Sequence, residues 1–137
     1  MLLDNTLRTL LAEAHTIAII GAKDKPGPVD MVGRYLMAAG YTVIPVHPVR
    51  KDVWGLVTYR TLADIPAPVD IVNVFRAAEH CPAHAHETLA LSPRPRLFWM
   101  QQGICSAEAG QLLAAGGIRV VEDACIMVDH RRLFGGV

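Results

Sequence analysis

Residues 16–28 read Thr-Ile-Ala-Ile-Ile-Gly-Ala-Lys-Asp-Lys-Pro-Gly-Pro. The first five are mostly β-branched and suit a strand buried on both faces. Gly21 ends that strand, permitting a tight turn and letting backbone N–H groups approach a ligand with no Cβ in the way. Lys23 and Lys25 follow, then a Pro-Gly-Pro turn and an amphipathic helix predicted over 29–39. A strand, a small-residue turn, two cations and a helix N-terminus together make a site for phosphate.

Outward from this stretch, strands and helices alternate. Leu2, Leu3, Leu7, Leu10, Leu11 and Ala14 recur at helical spacing and predict a helix over 3–14, capped by Asp4 or Asn5. In the helix after the central strand, Met31, Val32, Tyr35, Leu36 and Ala39 form the expected buried stripe, and Gly40 stops it. Residues 41–46 read as a second strand, although Pro45 disfavours a fully bonded position within a sheet. Residues 52–68 read as a connection with a short extended piece at 56–59 and one helical turn at 62–65. Further strands are expected at 70–75, 96–100 and 118–121, separated by helices at 79–91, with Pro82 in its first turn, and from Ser106 to about residue 115. Cys125 to Val128 forms a short final segment before a basic tail of His130, Arg131 and Arg132.

This order predicts an α/β fold: a three-layer, Rossmann-like, doubly wound sheet of about five parallel strands with helices on both faces. With 137 residues and no linker or repeat, the expectation is one domain over 1–137, an N-terminal helix at 1–15 and a core at 16–137. Hydrophobic residues make up 52% and the formal net charge is zero, which favours a core-rich globule over a nucleic-acid binder with a broad basic face. The near-zero charge is compatible with a homodimer or with a separate protein partner. No apolar run reaches the ~20 residues of a membrane span, no secretory signal opens the chain, and Cys81, Cys105 and Cys125 lack a Cys-x-x-Cys spacing. The expected location is the reducing cytoplasm, with no membrane or nucleic-acid partner.

In such sheets ligands sit outside the carboxyl ends of the strands. Those ends carry Gly21, Ala22, Lys23 and Lys25; His47, Pro48 and Arg50; Phe75 and Arg76; Gln101 and Gly103; and Glu122 and Asp123. The Gly-x-Gly-x-x-Gly of dinucleotide dehydrogenases is incomplete, since Lys23 replaces its second glycine, and the second strand ends without a carboxylate for a ribose. No Gly-Lys-Ser/Thr is present for ATP hydrolysis. Cations on the first two loops and Arg76 on the third suit a ligand with several phosphates, for which coenzyme A and NADP both qualify.

From Ile17 onward the chain resembles the small CoA-binding protein family, stand-alone Rossmann-like domains similar to the CoA-binding domain of the succinyl-CoA synthetase alpha subunit. The pieces that carry the resemblance are Ile-Ala-Ile-Ile-Gly-Ala at 17–22, Gly-Tyr-Thr-Val-Ile-Pro-Val-His-Pro at 40–48 and Val-Asp-Ile-Val-Asn-Val-Phe-Arg at 69–76 with Glu79 and Pro82. Phe-Trp-Met-Gln-Gln-Gly-Ile at 98–104 and Glu-Asp-Ala-Cys-Ile-Met-Val-Asp-His at 122–130 complete it. The resemblance implies coenzyme A or an acyl-CoA as ligand. Its phosphates would lie near Gly21, Ala22 and Lys23 and its adenosine against His47, Pro48 and Arg50, while Phe75 and Arg76 would line the next wall and Gln101 and Gly103 the far side, towards the pantetheine. The family usually has a small hydroxyl residue where Lys23 stands and asparagine where His47 stands. Its Arg-Pro-Ser before the first crossover helix is here Gly27-Pro28-Val29, one residue shorter, and Lys23 with Lys25 are the candidates to compensate.

Other residues have ordinary readings beside functional ones. Arg76 can pair with Glu79 instead of a ligand, His80 and His84 share a helix face without a second ligand cluster, and Cys125 reads as core. Cys105 stands near the pantetheine end, where a mixed disulfide with CoA is conceivable. No serine, histidine and acid fall at matched strand ends, and the resemblance brings no metal. The expectation is a non-catalytic carrier, sensor or subunit. The alternatives are a small NADP-dependent reductase, with His47 as proton donor, and a ligand-free interaction protein whose loop at 23–29 fills the pocket.

Overall fold

Alternating side chains build two cores, one on each face of the sheet. The computed structural model describes residues 2–135, so Met1, Gly136 and Val137, the extremes of the expected domain, lie outside the described residues. Its strands are β1 (Thr16–Ile20), β2 (Thr42–Val46), β3 (Ile71–Val74), β4 (Leu97–Met100) and β5 (Arg119–Val121). They form one parallel sheet in the order β2-β1-β3-β4-β5. Helices α1 (Asp4–Glu13), α2 (Pro28–Ala38), α3 (Cys81–Leu89), α4 (Ala107–Ala115) and α5 (Ile126–Phe134) cover it.

One face carries Ile17, Ile19, Ile71, Leu97 and Trp99, packed against Leu7 and Leu11 of α1, Val32 and Leu36 of α2, and Ile126 and Leu133 of α5. The other carries Ala18, Ile20, Val72, Val74, Phe98 and Met100 against Cys81 and Ala85 of α3 and Ala109 and Leu113 of α4. Strand positions thus alternate between the layers, and a slip of one residue would exchange them. Each fully buried Ile or Leu is worth about 1.5–3 kcal/mol, so burial fixes the register.

Pro45 sits within β2 without penalty because β2 is an edge strand. Its carbonyl points outward and accepts the Tyr59 N–H at 3.0 Å, so the N–H it lacks would also have pointed off the sheet. The connection after β2 makes a parallel bridge between Val46 and Tyr59 and short 3₁₀ turns at Val53–Gly55 and Leu62–Asp64, the bridge falling at the end of the extended piece expected at 56–59 and the second turn on the one expected at 62–65.

Three local expectations are corrected. Helix α1 has Leu3 at its N-cap with no side-chain cap, and Asp4 instead reaches Arg132 of α5 at 2.8 Å. The buried face of α2 is Val29, Val32, Gly33 and Leu36, whereas Met31 is 56% exposed and Ala39 is also outside. Gly33 joins the buried face because Trp54 lies on it: a Cβ there would stand 2.3 Å from the indole. The basic tail is not a tail. His130, Arg131 and Arg132 belong to α5, held by Ile126 and Leu133 in the core and by His130 against Tyr35, Tyr41 and Phe134.

Candidate functional site

From β1 the chain crosses to β2 on one side and then returns to β3 on the other, so the order reverses beside β1. The carboxyl ends of β1 and β3 therefore open a crevice that no crossover covers. Gly21 lies at its base. Its φ is +84°, and a Cβ would stand 2.6 Å from the Phe75 carbonyl oxygen and 3.3 Å from Arg76 Cγ. Both conformation and close approach therefore require glycine. The Gly21 and Ala22 N–H groups do not face a ligand, since both donate to the Val46 carbonyl, at 2.9 and 3.3 Å, and Ala22 is fully buried.

The cations beyond them are differently placed. Lys23 and Lys25 are exposed. Asp24 between them accepts the Trp54 N–H at 3.2 Å, and the Trp54 indole N–H donates to Asp30 at 2.8 Å, so the connection after β2 straps the first loop and the head of α2. Helix α2 begins with Gly27 at its N-cap and Pro28 in its first turn and has no side-chain cap. Its first-turn N–H groups are thus unclaimed by a cap.

After β2, His47 Nδ1 accepts the N–H groups of Val49 at 3.1 Å and Arg50 at 2.9 Å. An asparagine side-chain carbonyl can accept in the same way, so His47 makes a turn that is also open to the asparagine the resemblance implies at this position. The geometry fixes a neutral ring with its proton on Nε2. Partial burial, then the positive charges of Arg50 and Arg76, push the His47 pKa below the ordinary 6.5. His47, Arg50 and Arg76 are therefore electrostatic neighbours, and no carboxylate figures among the charges acting on the ring. Beside this turn, Pro48, Arg50, Lys51, Asp52 and Arg60 line a cleft of about 230 Å3.

Arg76 is held without a salt bridge. Its Nη1 donates to His84 Nε2 at 3.2 Å, and His84 Nδ1 lies 2.6 Å from Glu87 Oε1. Glu79, the alternative partner, instead lies 4.0 Å from His80. No group of metal-ligating side chains occurs among the described residues, and His84 is engaged as above rather than paired with His80.

Further along the strand ends, Phe75 and Gln101 line an apolar pocket of about 350 Å3 with Pro28, Met31, Gln102, Cys125 and Met127. Gln101 is buried and its Oε1 accepts the Ile126 N–H at 2.9 Å, so it fastens α5 to the pocket wall. The Gly103 N–H is taken by Asp123 at 2.7 Å. Two residues before Phe75, Asn73 is fully buried and neither of its amide atoms finds a partner in the protein. Cys125 lines this pocket and, half-buried, packs against the edge of the core rather than within it. Cys105 is exposed, and its thiol is pushed up by desolvation first and then by Asp123 and Glu122, which disfavours the thiolate a mixed disulfide needs. The expected residues thus fall into two neighbouring parts, one with the cations Arg50 and Arg76 beside the neutral ring of His47 and an apolar one at Phe75 and Gln101. The sequence reading missed the wall from α5 because it took Met127 for part of a short segment, and it missed Trp54 and His84 because neither stands at a strand end.

A family model described as CoA binding domain matches residues 15–131. The chain belongs to this CoA-binding domain family. It is 38% identical over 125 residues to the uncharacterized protein YneT of Bacillus subtilis (strain 168), covering 90% of this chain and 91% of that protein. The solved structure of cell-free ID.343 from Thermus thermophilus matches with a TM-score of 0.90 and 43% identity, over 97% of this chain and 100% of that one. A protein from Pyrococcus horikoshii OT3 matches with a TM-score of 0.93 and 29% identity, over 98% of this chain and 94% of that one. The fold is thus the expected Rossmann-like α/β sheet. No helix among the described residues is long and apolar enough to cross a membrane.

Proposed function

We propose that the protein binds coenzyme A or an acyl-CoA across the carboxyl ends of β1, β2 and β3 as a non-catalytic carrier, sensor or subunit. The observation that carries this reading is the group of His47, Arg50 and Arg76 beside the glycine-floored crevice, where neither arginine is in an ion pair among the described residues. Arginines gathered at the end of the sheet where helices begin, and not paired with a carboxylate, favour a polyanion. The phosphates lie among Arg76, Arg50 and Lys23, the adenosine along His47 and Pro48, and the pantetheine in the apolar pocket of Phe75 and Gln101. The chain's place in the CoA-binding domain family supports the choice of this polyanion over others. A reductase reading needs a proton donor, and His47, held neutral by two backbone N–H groups on Nδ1, is poorly suited to that task.

Calorimetric titration with CoA and with NADP, after native mass spectrometry of the freshly purified protein, tests the proposal. Micromolar binding of CoA, accompanied by a rise in Tm, is the expected result. Binding of NADP alone would turn the reading to a nucleotide-handling enzyme. Binding of neither would leave an interaction module whose partner must be sought by pull-down.

A further inference from the structure

Arg76 is the one cation of the site whose guanidinium is gripped by other side chains, and the grip has a definite proton arrangement. Arginine can only donate, so His84 Nε2 must accept from Nη1 at 3.2 Å. The single ring proton then sits on Nδ1 and is donated to Glu87 at 2.6 Å. His84 and Glu87 are three apart on α3 and share a face, so the helix itself sets their spacing. The Thr88 hydroxyl donates to the His84 carbonyl at 2.7 Å and fills that turn. The His84 side chain is only 12% exposed, so the ring has little freedom to leave.

We infer that His84 and Glu87 are positioning residues for Arg76, holding its guanidinium towards the crevice through a neutral imidazole so that its charge remains available to a phosphate. The inference rests on the CoA reading above. A carboxylate bonded directly to Arg76 would fix it equally well but would cancel its charge. The interposed imidazole keeps Glu87 one ring away while transmitting orientation. Pre-ordering a long side chain removes a cost that binding would otherwise carry.

The arrangement works in one protonation state only. A proton on Nε2 makes both ring nitrogens donors, turns an N–H against the Arg76 N–H groups and releases the arm. The other charged groups around α3 are committed or peripheral. Glu79 and His80 on the preceding turn face each other, Asp64 on the packed turn at 62–64 accepts from Thr61 at 3.0 Å, and Glu108 opens the neighbouring α4. Arg76 and Glu87 are the groups in contact with the ring.

The test is the CoA affinity of wild type, His84→Gln, His84→Leu, Glu87→Gln and Glu87→Leu, measured by calorimetry at about pH 8. Glutamine at 84 can still accept from Arg76, whereas leucine cannot. His84→Leu is expected to bind CoA about tenfold more weakly than wild type, and His84→Gln to recover most of that loss. Glu87→Gln keeps an acceptor for the ring N–H and should bind nearly as wild type does, whereas Glu87→Leu should weaken binding several-fold. If His84→Leu fails to fold, the comparison of Glu87→Leu with Glu87→Gln carries the decision. Undiminished affinity in His84→Leu or, where that fails to fold, in Glu87→Leu, or a His84→Gln protein no better than His84→Leu, would overturn this inference while leaving the CoA reading intact. Absence of CoA binding by wild type at pH 8 would overturn the CoA reading, and this inference with it.

Discussion

Both ends of the sheet hold cations, and they use them in opposite ways. At the amino ends of the strands, Arg94 donates to the carbonyls of Leu89 at 2.9 Å and Gly116 at 3.0 Å, which close α3 and α4. Beside it Arg96 pairs with Glu13 at 2.8 Å. These arginines, with Arg119, line a cleft of about 570 Å3, wider than the apolar pocket at the other end. At the carboxyl ends, Arg50 and Arg76 act on the neutral ring of His47, and neither is in an ion pair among the described residues. The helices run against the strands, so their negative ends lie at the first end and their positive ends at the second. Cations at the first end therefore complete the fold, whereas cations at the second oppose its dipoles and await an anion. Width of a cleft is a poorer guide to a site than whether its charges are already answered.

The change expected to break this contrast most severely is Gly21→Ala. It places a side chain at φ +84° and 2.6 Å from the Phe75 carbonyl oxygen, so β1 and β3 must part where the crevice begins. A loss on the order of 3 kcal/mol of stability is expected in denaturant unfolding, together with loss of CoA binding. A stable Gly21→Ala protein with undiminished affinity would show that the crevice floor is not under this constraint. Next, Arg76→Ala should weaken CoA binding roughly 10- to 100-fold, the effect of one charge-assisted hydrogen bond, with a smaller change in Tm. Arg96→Ala at the opposite end should leave CoA affinity unchanged and cost well under about 1 kcal/mol, because its partner is exposed. Equal effects of the two substitutions in the same calorimetric titration would erase the distinction between the ends.

Much of this was legible in the chain because it depends on local chemistry. The run from Thr16 to Gly21 announces a buried strand with a tight exit, and Ser106 announces a helix start that the structure realises through an Ala109 N–H at 3.2 Å. The strand-end rule then places Gly21, His47, Phe75, Arg76 and Gln101 together without any knowledge of register. What the sequence could not disclose depends on contacts between elements. Met31 belongs to the apolar stripe by spacing, yet Trp54 packs on the Gly33 side of α2 while Met31 stands exposed at the pocket. Likewise α5 looks like a basic tail until His130 is seen among Tyr35, Tyr41 and Phe134, when its spacing from Ile126 to Leu133 becomes a buried face. The amides of Gly21 and Ala22 suit a phosphate by analogy with other glycine turns, but the edge strand claims them first through Val46. His84 carries no sequence signal that ties it to Arg76, because the turn at Ala78–His80 sets that approach.

The smallest expected effect separates two histidines shifted in the same direction by different causes. Both His47 and His130 have pKa values below 6.5, His47 through burial and then the charges of Arg50 and Arg76, His130 through burial alone. A base depressed in the folded state favours folding above its unfolded pKa and loses that contribution as pH falls through the folded value. The free protein should therefore keep its full stability above about pH 6.5 and lose part of it in mild acid, as read by Tm across that range. Bound CoA distinguishes the two. Its phosphates offset Arg50 and Arg76, so the His47 pKa should rise when the ligand is added. His130, which hydrogen-bonds Tyr35 at 2.7 Å between α2 and α5, has no cation to be offset and should titrate as before. Imidazole proton resonances followed by NMR with and without CoA give both curves from one sample. A shift at His47 alone locates the anion at the cationic end. A shift at both rings would mean that binding repacks α5, and a shift at neither would remove the phosphates from the neighbourhood of Arg50 and Arg76.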